Sequence, residues 1–325
     1  SILKGTYRLK LVEHDDLFLN NQKKGSDEYL CQDLVLRKLY HNIRRIYKVS
    51  QANRNVIVKQ ILTLLKEDIP LWVIRLDIRH FYESIDRKLL LKRIVDKGRL
   101  NFQSMRLLQL INSYLVSCNA SGLPRGLAIS SVLSEEYMKY FDLDVKRMTG
   151  VYYYARFVDD IIIFCSTEKA QKDVWDALSP LLKELKLSLN VEKSYWWSDT
   201  GEKQALTYLG YTFRKNEITK CVNGKNKKFK EVEVTIAEKK VKMIKSRITR
   251  AFVRYSKDHD FDMLCNRIKF LTGNFTIYSK TALAPIKVGV HFNYKEITNT
   301  AQAQLLELDS YFQRILHNKR GKTRE

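Results

Sequence analysis

The spacing of apolar residues predicts a chain built mostly of amphipathic helices. Between residues 28 and 67, leucine, isoleucine and tyrosine recur every three or four positions, and lysine and arginine fill the opposite positions, which gives a helix one apolar face. A further helix is expected to be capped by Ser130 or Ser131 and to end near Met148. The same spacing predicts helices at 87–118, about 168–187, about 237–256 and through most of 257–325.

Short runs rich in β-branched residues predict the strands. LWVIRLDI (71–78) has the pattern of a buried strand, and VYYYARFVDDIIIFC (151–165) contains two apolar runs around a polar turn at 158–160, which predicts a hairpin. TYLGYTF (207–213) predicts another strand, and Asn223-Gly224 between two charged runs predicts an exposed hairpin. The order of elements implies an α+β fold, with a sheet of about three to five strands backed by helices.

Composition limits the class of protein. Hydrophobic residues make up 45% of the 325 positions and charged residues 29%, which is globular and too apolar for a disordered chain. Only 12 glycines and four prolines are present, and this excludes a collagen-like or linker-rich architecture. At roughly 100–200 residues per domain, the length fits two domains, or two or three subdomains around one core.

The charge balance points to a polyanionic partner. The chain has 58 Lys and Arg against 36 Asp and Glu, a formal net charge of +22. Nucleic acid is the first candidate partner and an anionic membrane surface the second, since solubility alone needs far less charge. Residues 214–254 hold 14 of the basic residues and four acids. We therefore expect this stretch to bind phosphates.

Cysteine usage and the apolar profile indicate a cytoplasmic protein that does not cross a membrane. The five cysteines are far apart in the sequence and form no C-x-x-C pair for zinc. An odd, scattered set suits free thiols in a reducing compartment. The first residues lack the apolar run of a signal peptide, and no stretch is apolar enough for a transmembrane helix.

Three aspartates stand where predicted strands end. Asp159 and Asp160 are adjacent in the turn of the apolar hairpin, and Asp77 ends the strand LWVIRLD. A solvated Asp-Asp turn is the ordinary explanation of such a pair. Here the flanking residues are so apolar that ionised carboxylates would be costly to desolvate, and a divalent cation would relieve their repulsion. The pattern therefore predicts a site for two Mg²⁺ ions.

The residues around these acids resemble the motifs of reverse transcriptases. FVDD (157–160) is similar to the F/Y-x-D-D catalytic signature, and RLDIRHFYESI (75–85) to the first palm motif, in which an aromatic follows the metal aspartate by five positions. SGLPRGLAISS (121–131) resembles the loop before the template-contacting helix, LSLNVEKS (187–194) the motif whose lysine lies near the triphosphate, and TYLGYTF (207–213) the primer-grip strand. All five occur in the order of the family.

Within that family, the chain most resembles the bacterial abortive-infection and antiphage-defence branch, with retron-type enzymes next nearest. RIKFLTGNFTIYSK (267–280) and VGVHFNYKEI (288–297) are similar to regions of that branch beyond the palm. In the loop before the template-contacting helix, the sequence Gly-Leu-Ala-Ile-Ser-Ser (126–131) departs from the Gln-Gly-Ser-Pro that is more usual in the family. Arg125 stands where many relatives have Gln. No clear retron motif of the Asn-Ala-x-x-His type is present.

The resemblance implies a helix-rich, right-hand polymerase of the α+β class. Residues 1–70 would form helical fingers, and residues 71–213 a palm with a small antiparallel sheet and fingers elements inserted at about 87–120. Residues 214–325 would form a basic hairpin, thumb helices and a C-terminal helical region.

The resemblance also assigns the chemistry. Asp77, Asp159 and Asp160 would be catalytic. Asp77 and Asp159 would hold both Mg²⁺ ions, Asp160 would assist, and the backbone carbonyl of Ile78 would complete one coordination shell; Mn²⁺ is an alternative metal. Two ions about 3.5–4 Å apart can activate an attacking 3′-hydroxyl and stabilise the leaving pyrophosphate.

Five residues are expected to bind the nucleotide. Tyr82 would lie under the sugar and exclude a 2′-hydroxyl, which predicts deoxyribonucleotides. Gly126 would allow close approach of the nascent pair, and Lys193 would face the triphosphate as a point charge. Arg54 and Lys48 would hold phosphates from the fingers.

Template and primer are assigned to a second group of residues. Tyr208, Leu209 and Gly210 would position the primer end, and the basic helix would follow the duplex through phosphate contacts. The expected template- and primer-binding residues are Arg125, Tyr208, Leu209, Gly210, Lys240, Arg247 and Arg250.

The expected partners are an RNA template, such as a dedicated noncoding RNA, together with dNTPs and the DNA product. A homo-oligomer or a partner protein remains open. Three alternatives also remain: a retron-type enzyme making RNA-linked DNA, a template-independent or protein-primed DNA polymerase, and a nucleic-acid-binding scaffold with a polymerase fold. An RNA polymerase is disfavoured by the aromatic at position 82.

Overall fold

The computed structural model describes residues 7, 9–14, 17–67, 69–199, 205–222, 225–277, 286–298 and 302–317. The chain forms two compact units. The first contains the described residues of Ser1–Ile57 and Leu71–Ser198, and the second those of Val58–Pro70 and Asp199–Glu325.

The first unit is helix-rich, as the apolar spacing predicts, and carries a small sheet. Its elements are β1 (Leu11–His14), β2 (Leu17–Asn20), α1 (Asp27–Tyr47), the start of α2 (Arg54–Lys66), β3 (Trp72–Asp77), α3 (Phe81–Ser84), α4 (Arg87–Lys97), α5 (Phe102–Ser117), α6 (Ala128–Arg147), β4 (Val151–Phe157), β5 (Asp160–Cys165), α7 (Glu168–Glu184) and β6 (Tyr195–Ser198).

Four antiparallel strands form the central sheet, in the order β4-β5-β3-β6. The predicted hairpin is confirmed as β4 and β5, and the strand LWVIRLD is β3, buried between β5 and β6. The side chains of β3 and β5 are almost wholly buried, because α7 packs on both strands and α6 packs against β4, α7 and α1. The sheet therefore holds the β4–β5 turn on a rigid support.

Local sequence explains where several helices begin and end. The predicted stretch 87–118 is two helices, because Gly98, at φ 57°, ends α4 and Asn101 caps α5 through its side chain. The predicted cap at Ser130 or Ser131 is wrong, since α6 already begins at Ala128. The Ser130 hydroxyl donates instead to the carbonyl of Pro124, which ties the glycine-rich loop to the helix.

The second unit combines an antiparallel sheet with helices. Its further elements are β7 (Ala205–Tyr208), β8 (Tyr211–Val222), β9 (Lys225–Ile236), α8 (Glu238–Asp258), α9 (Phe261–Thr272), β10 (Phe275–Ile277), β11 (Ile286–Val288), α10 (Val290–Asn293) and α11 (Gln302–Leu316). Strands β7, β8 and β9 pair in that order, and α8 packs against α9 and α11. The predicted Asn223-Gly224 turn lies outside the described residues.

The prediction of one strand over TYLGYTF is wrong. Leu209 and Gly210 have φ angles of 46° and 81°, and Tyr208 pairs with Tyr211 across them. A two-residue turn with positive φ at both positions closes a tight hairpin. The segment is therefore the end of β7, a turn and the start of β8.

No helix within the described ranges is both long enough and apolar enough to span a bilayer.

Candidate active site

The three predicted aspartates meet at one end of the central sheet. Asp77 ends β3 and is the direct cross-strand partner of Asp160, the first residue of β5. Directly opposed residues in antiparallel strands point to the same face, with Cβ atoms about 4.5–5.5 Å apart. Asp159 precedes Asp160 in the turn, and its carbonyl accepts a hydrogen bond from the N–H of Ile78 at 3.2 Å. The fold thus gathers all three carboxylates.

Two basic side chains balance two of these acids. The Nζ atom of Lys193 lies 3.1 and 3.2 Å from the two carboxylate oxygens of Asp77. The guanidinium of Arg75 lies 3.3 Å from Asp160 and also stands over the ring of Tyr195, 5.7 Å from its centre. Lys193 and Asp77 are far apart in sequence, so this pairing depends on tertiary structure.

The electrostatics of the turn favour binding of a cation. Burial raises the pKa of Asp159 above its ordinary value, and the neighbouring charges of Asp160 and Asp77 raise it further. Burial also raises the pKa of Asp160, which Arg75 opposes and Asp77 reinforces. Asp159 and Asp160 are therefore costly to keep ionised side by side unless a cation lies close by.

The loop after α7 is fixed to the end of β3. The Asp77 N–H donates to the Ser194 hydroxyl at 3.1 Å, and the Asn190 N–H donates to the Asp77 carbonyl at 2.8 Å. Two residues after Asp77, the Arg79 N–H donates to the Ser188 carbonyl at 2.9 Å. These bonds hold residues 188–194 beside Asp77, and this explains why Lys193 can reach the carboxylate.

A cleft of about 720 Å³ opens at this end of the sheet. Asp77 and Asp159 line it on one side, and residues 189–193 line another. The Asp160 side chain is instead engaged by Arg75 and is not part of the lining. Six predicted site residues therefore line one cleft: Asp77, Ile78, Tyr82, Arg125, Asp159 and Lys193.

Tyr82 and Arg125 also line the cleft. Tyr82 is half-buried, and burial is the main cause of its raised pKa, which Ser134 opposes. Arg125 is half-exposed and forms an ion pair with Glu83, 2.6 Å away. Phe81 is buried in the core. A planar ring and a cation are thus both present in the cleft.

Two glycines allow the loop before α6 to pack tightly. At Gly122, with φ 55°, a Cβ would stand 2.1 Å from the carbonyl oxygen of Tyr82. At Gly126, with φ 90°, it would stand 2.7 Å from the carbonyl oxygen of Phe18. Only glycine fits such positions. The close approach at Gly126 is therefore made to β2 of the protein itself.

Other predicted residues are not among those that line this cleft. Lys48 caps the end of α1 and Arg54 begins α2, and neither lines the cleft. Tyr208, Leu209 and Gly210 belong to the second unit, where the side chains of Tyr208 and Leu209 are buried. On α8, Lys240 is half-exposed, whereas Arg247 and Arg250 are exposed.

Arg156 is a residue of this site that sequence reasoning missed. It lies in β4 with 3% of its side chain exposed and binds Glu135 and Asp142, both on α6, at 2.7 and 2.8 Å. It also donates to the carbonyl of Val158 at 3.1 Å. Burial acts to lower the pKa of Arg156, but Asp142 and Glu135 outweigh it, so the pKa lies above its ordinary value.

This buried arginine ties the β4–β5 turn to α6. Val158 has a φ of 61°, which is an unfavourable conformation for a β-branched residue. The bond from Arg156 to its carbonyl helps to hold that conformation, and the two acids keep the guanidinium in place. A lone arginine within an apolar strand, three positions before Asp159, was the available signal in the sequence.

The donor chemistry fits a hard divalent cation. Mg²⁺ prefers carboxylate and carbonyl oxygens, and Asp77, Asp159 and the carbonyl of Ile78 offer these at one cleft. Within the described ranges, no three His, Cys, Asp or Glu side chains already stand together as a metal-binding group; Lys193 and Arg75 hold two of the carboxylates instead. A metal at Asp77 would have to displace Lys193.

Comparisons with known proteins supply the family. The model of the family "Reverse transcriptase (RNA-dependent DNA polymerase)" matches residues 31–213. No curated protein matches the chain.

Solved telomerase structures are similar at low identity. Apo telomerase from Candida tropicalis, truncated from its C-terminal domain, is 17% identical over 68% of this chain and 54% of that one, with a TM-score of 0.44. Telomerase from Candida albicans in complex with a TWJ fragment of telomeric RNA is 12% identical over 93% and 53%, also with a TM-score of 0.44. The chain spans about half the length of these two structures.

The family model covers more than half of the chain and includes every element that builds the cleft. The observed mixture of helices with small antiparallel sheets agrees with the right-hand α+β fold of such polymerases. This chain belongs to the reverse transcriptase family.

Proposed function

We propose that the protein is an RNA-directed DNA polymerase that uses Mg²⁺ to add deoxyribonucleotides to a primer end. The observation that carries the proposal is the convergence of Asp77, Asp159 and Asp160 at one end of a buried sheet, beside an open cleft. Phosphoryl transfer needs little covalent chemistry from the protein, because positioning and charge stabilisation supply most of the catalysis.

The residues of the cleft have distinct roles in this proposal. Asp77, Asp159 and the Ile78 carbonyl would hold two divalent ions, with Mn²⁺ as an alternative to Mg²⁺; when bound, such ions stabilise the charge on the attacking and leaving oxygens. Asp160 keeps the turn in register through its pairing with Asp77 and its bond to Arg75. Lys193, released from Asp77, would contact the triphosphate.

Tyr82 and Gly126 would shape the site for the nucleotide, and Arg125 would contact the template from the wall of the cleft. We also retain Arg54 and Lys48 as phosphate-binding candidates and Tyr208, Leu209 and Gly210 as primer-positioning candidates. In subdomain terms, residues 1–70 would be fingers, residues 71–213 the palm with fingers elements at 87–120, and residues 214–325 the thumb and C-terminal region.

The basic face of α8 would hold the duplex product. Arg247 and Arg250 are exposed, and no ion pair with a described carboxylate engages either one. Lys240 lies nearer the start of the same helix. Contacts from such side chains to phosphates bind a duplex of any sequence.

The biological role follows from the finer resemblance. The sequences of 267–280, 288–297 and the loop at 121–131 support a cytoplasmic enzyme of antiphage defence with a dedicated RNA template. Sequencing the nucleic acid that copurifies with the protein tests this role. A single bacterial noncoding RNA with complementary DNA is expected, whereas RNA-linked DNA would indicate a retron-type enzyme.

Substitution of Asp159 tests the catalytic assignment. Asp159→Asn keeps the shape of the side chain but removes its charge. Several kcal/mol of transition-state stabilisation by the metal should be lost, which corresponds to a rate of incorporation about 10³-fold lower. The measurement is Mg²⁺-dependent incorporation of dTTP on poly(rA) with an oligo(dT) primer. Asp173→Asn, at an exposed position on α7, is the matched control. Undiminished synthesis by Asp159→Asn would rule out the assignment, and duplex binding by an inactive wild type would favour a scaffold.

Substitution of Tyr82 tests the choice of sugar. Tyr82→Ala should raise incorporation of ribonucleotides relative to deoxyribonucleotides by about tenfold or more, because a ring that excludes the 2′-hydroxyl is removed. The measurement is the ratio of kcat/KM for rNTP and dNTP. Tyr82→Phe is the control and should keep the wild-type ratio, since the ring remains. An unchanged ratio in Tyr82→Ala would remove this role.

A further inference from the structure

A second concentration of positive charge lies outside the catalytic cleft, at the C-terminal half of α1. A shallow groove of about 410 Å³ is lined there by Lys38, His41, Arg44, Arg45 and Lys48, with small and polar residues completing it. Within the described part of the chain, no acidic side chain lines the groove, and none of the groove residues lines the cleft around Asp77. The groove is therefore a separate feature of the first unit.

Exposed polar side chains form a row along one side of the helix. Lys38, His41 and Arg45 follow the spacing i, i+3 and i+7, which keeps residues on one helical face. At 1.5 Å per residue the row is about 10 Å long, and Lys48, at φ 51°, follows it as the cap of α1. All four side chains are exposed. The row is thus accessible.

The opposite face fixes this row in place. Leu39, Ile43 and Tyr47 are each at most 1% exposed. Lys139 of α6 donates a hydrogen bond to the Tyr47 carbonyl at 3.1 Å. The basic face is therefore presented by a helix anchored in the core.

Stabilisation of the helix terminus explains only part of this charge. Cations in the last turn interact favourably with the helix dipole, but the effect fades within one turn. Lys38 lies more than two turns from the end of α1. Like charges four residues apart, as in Arg44 and Lys48, also repel each other. Helix stability alone would thus favour fewer cations.

The pairing of other exposed cations in this unit gives a useful contrast. Lys186 is paired with Asp86, Arg125 with Glu83, and Lys172 with Glu168. Among the described residues, no ion pair engages Lys38, Arg44, Arg45 or Lys48. A row of cations without neighbouring acids is suited to an external polyanion.

We propose that this groove binds the phosphate backbone of a double-stranded nucleic-acid segment, separate from any duplex at the catalytic cleft. A row of about 10 Å fits about three successive phosphates, which lie about 3.4 Å apart along the axis of one strand. Among the described residues, no Phe, Tyr or Trp ring on which a base could stack lines the groove. Binding should therefore depend on backbone charge and be largely independent of sequence.

The test compares two triple variants that remove the same charge. Lys38→Gln/Arg44→Gln/Arg45→Gln removes three cations from the groove, and Lys169→Gln/Lys172→Gln/Lys183→Gln removes three exposed cations from α7. The probe is a blunt 16-base-pair RNA hairpin with a blocked 3′ end, in EDTA, and fluorescence anisotropy is measured over a range of KCl. A DNA hairpin of the same sequence shows whether the 2′-hydroxyl matters.

The groove variant should bind the hairpin about tenfold more weakly at low salt, and its slope of log K against log [KCl] should fall by about two to three, since each lost phosphate contact contributes about 0.7–0.9. The α7 variant should show less than half of these decreases in affinity and in salt slope. Equal losses in both variants, or none in the groove variant, would overturn the proposal. Loss of binding to phosphatidylserine vesicles without loss of hairpin binding would also overturn it, in favour of a membrane.

Two further measurements keep the result interpretable. Circular dichroism should show that both variants melt near the wild-type temperature, because glutamine is a good helix former at exposed positions. Extension of a short template–primer should be unchanged in the groove variant. An inactive wild type would defeat the proposed polymerase function but leave the hairpin measurement as a test of the groove.

Discussion

The β4–β5 turn and the exposed face of α8 hold charge in opposite ways. At the turn, Arg156 is buried and bound to two acids and a carbonyl. On α8, Arg247 and Arg250 are exposed and carry no ion pair with a described carboxylate. A buried charge without its partner is costly, whereas an exposed one remains solvated. The buried ion pairs of Arg156 fix the position of the turn. The exposed arginines of α8 can attract a polyanion, but their side chains are not held in one position.

The largest effect should come from the buried arginine. Arg156→Met leaves Glu135 and Asp142 without their cation, and breaking a buried pair in this way costs about 3–5 kcal/mol. Urea denaturation followed by circular dichroism measures the loss. Arg254→Met is the control, because Arg254 is 68% exposed in its ion pair with Asp258 and such pairs contribute about 0–1 kcal/mol. Equal losses would mean that burial does not matter here.

The pH dependence of that variant sharpens the comparison. Burial raises the pKa of Glu135, and Arg156 opposes this rise. Without Arg156, the folded protein should bind protons at Glu135 more tightly than the unfolded chain, so stability should be lost as pH rises and regained as it falls. The deficit of Arg156→Met should therefore be smaller at about pH 5 than at about pH 8. A deficit that grows on acidification would contradict this account.

An intermediate effect is expected at Lys193, which is 47% exposed while paired with the buried Asp77. If Lys193 contacts the triphosphate, Lys193→Gln should raise the KM for dNTP by about tenfold, because a bond to a charged group contributes about 1.5–3 kcal/mol. Lys193→Arg should recover part of the loss. Steady-state kinetics separate KM from kcat. A change in kcat alone would indicate that Lys193 acts only through Asp77 and does not contact the triphosphate.

The smallest effect per residue should come from α8. Arg247→Gln/Arg250→Gln should weaken template–primer binding several-fold and lower the slope of log K against log [KCl] by about two, with no change in sequence preference. Filter binding at several salt concentrations measures both quantities. Lys169→Gln/Lys172→Gln is the control of equal charge. A salt slope that stays at the wild-type value would exclude these two arginines from phosphate contact.

Much of the catalytic end was predictable because its signals are local. Alternating and continuous apolar runs identified β3 and the β4–β5 hairpin, and the paired acids identified the turn. The predicted ends of individual strands and helices were less accurate. TYLGYTF has the composition of a strand, yet Leu209 takes a positive φ beside Gly210 and closes a hairpin. Ser130 is a good capping residue, but its hydroxyl is used by the Pro124 carbonyl.

The amino-acid sequence by itself determined the amphipathic helices, the apolar strands, the three aspartates and the excess of positive charge, because each depends on residues close together in the chain. Only the tertiary structure decided that Lys193 would bind Asp77, that Arg156 would join the turn to α6, and that Lys48 would lie in a groove away from the cleft. These arrangements depend on residues distant in sequence, and a charged side chain selects its partner only after the core has brought the surrounding helices and strands together.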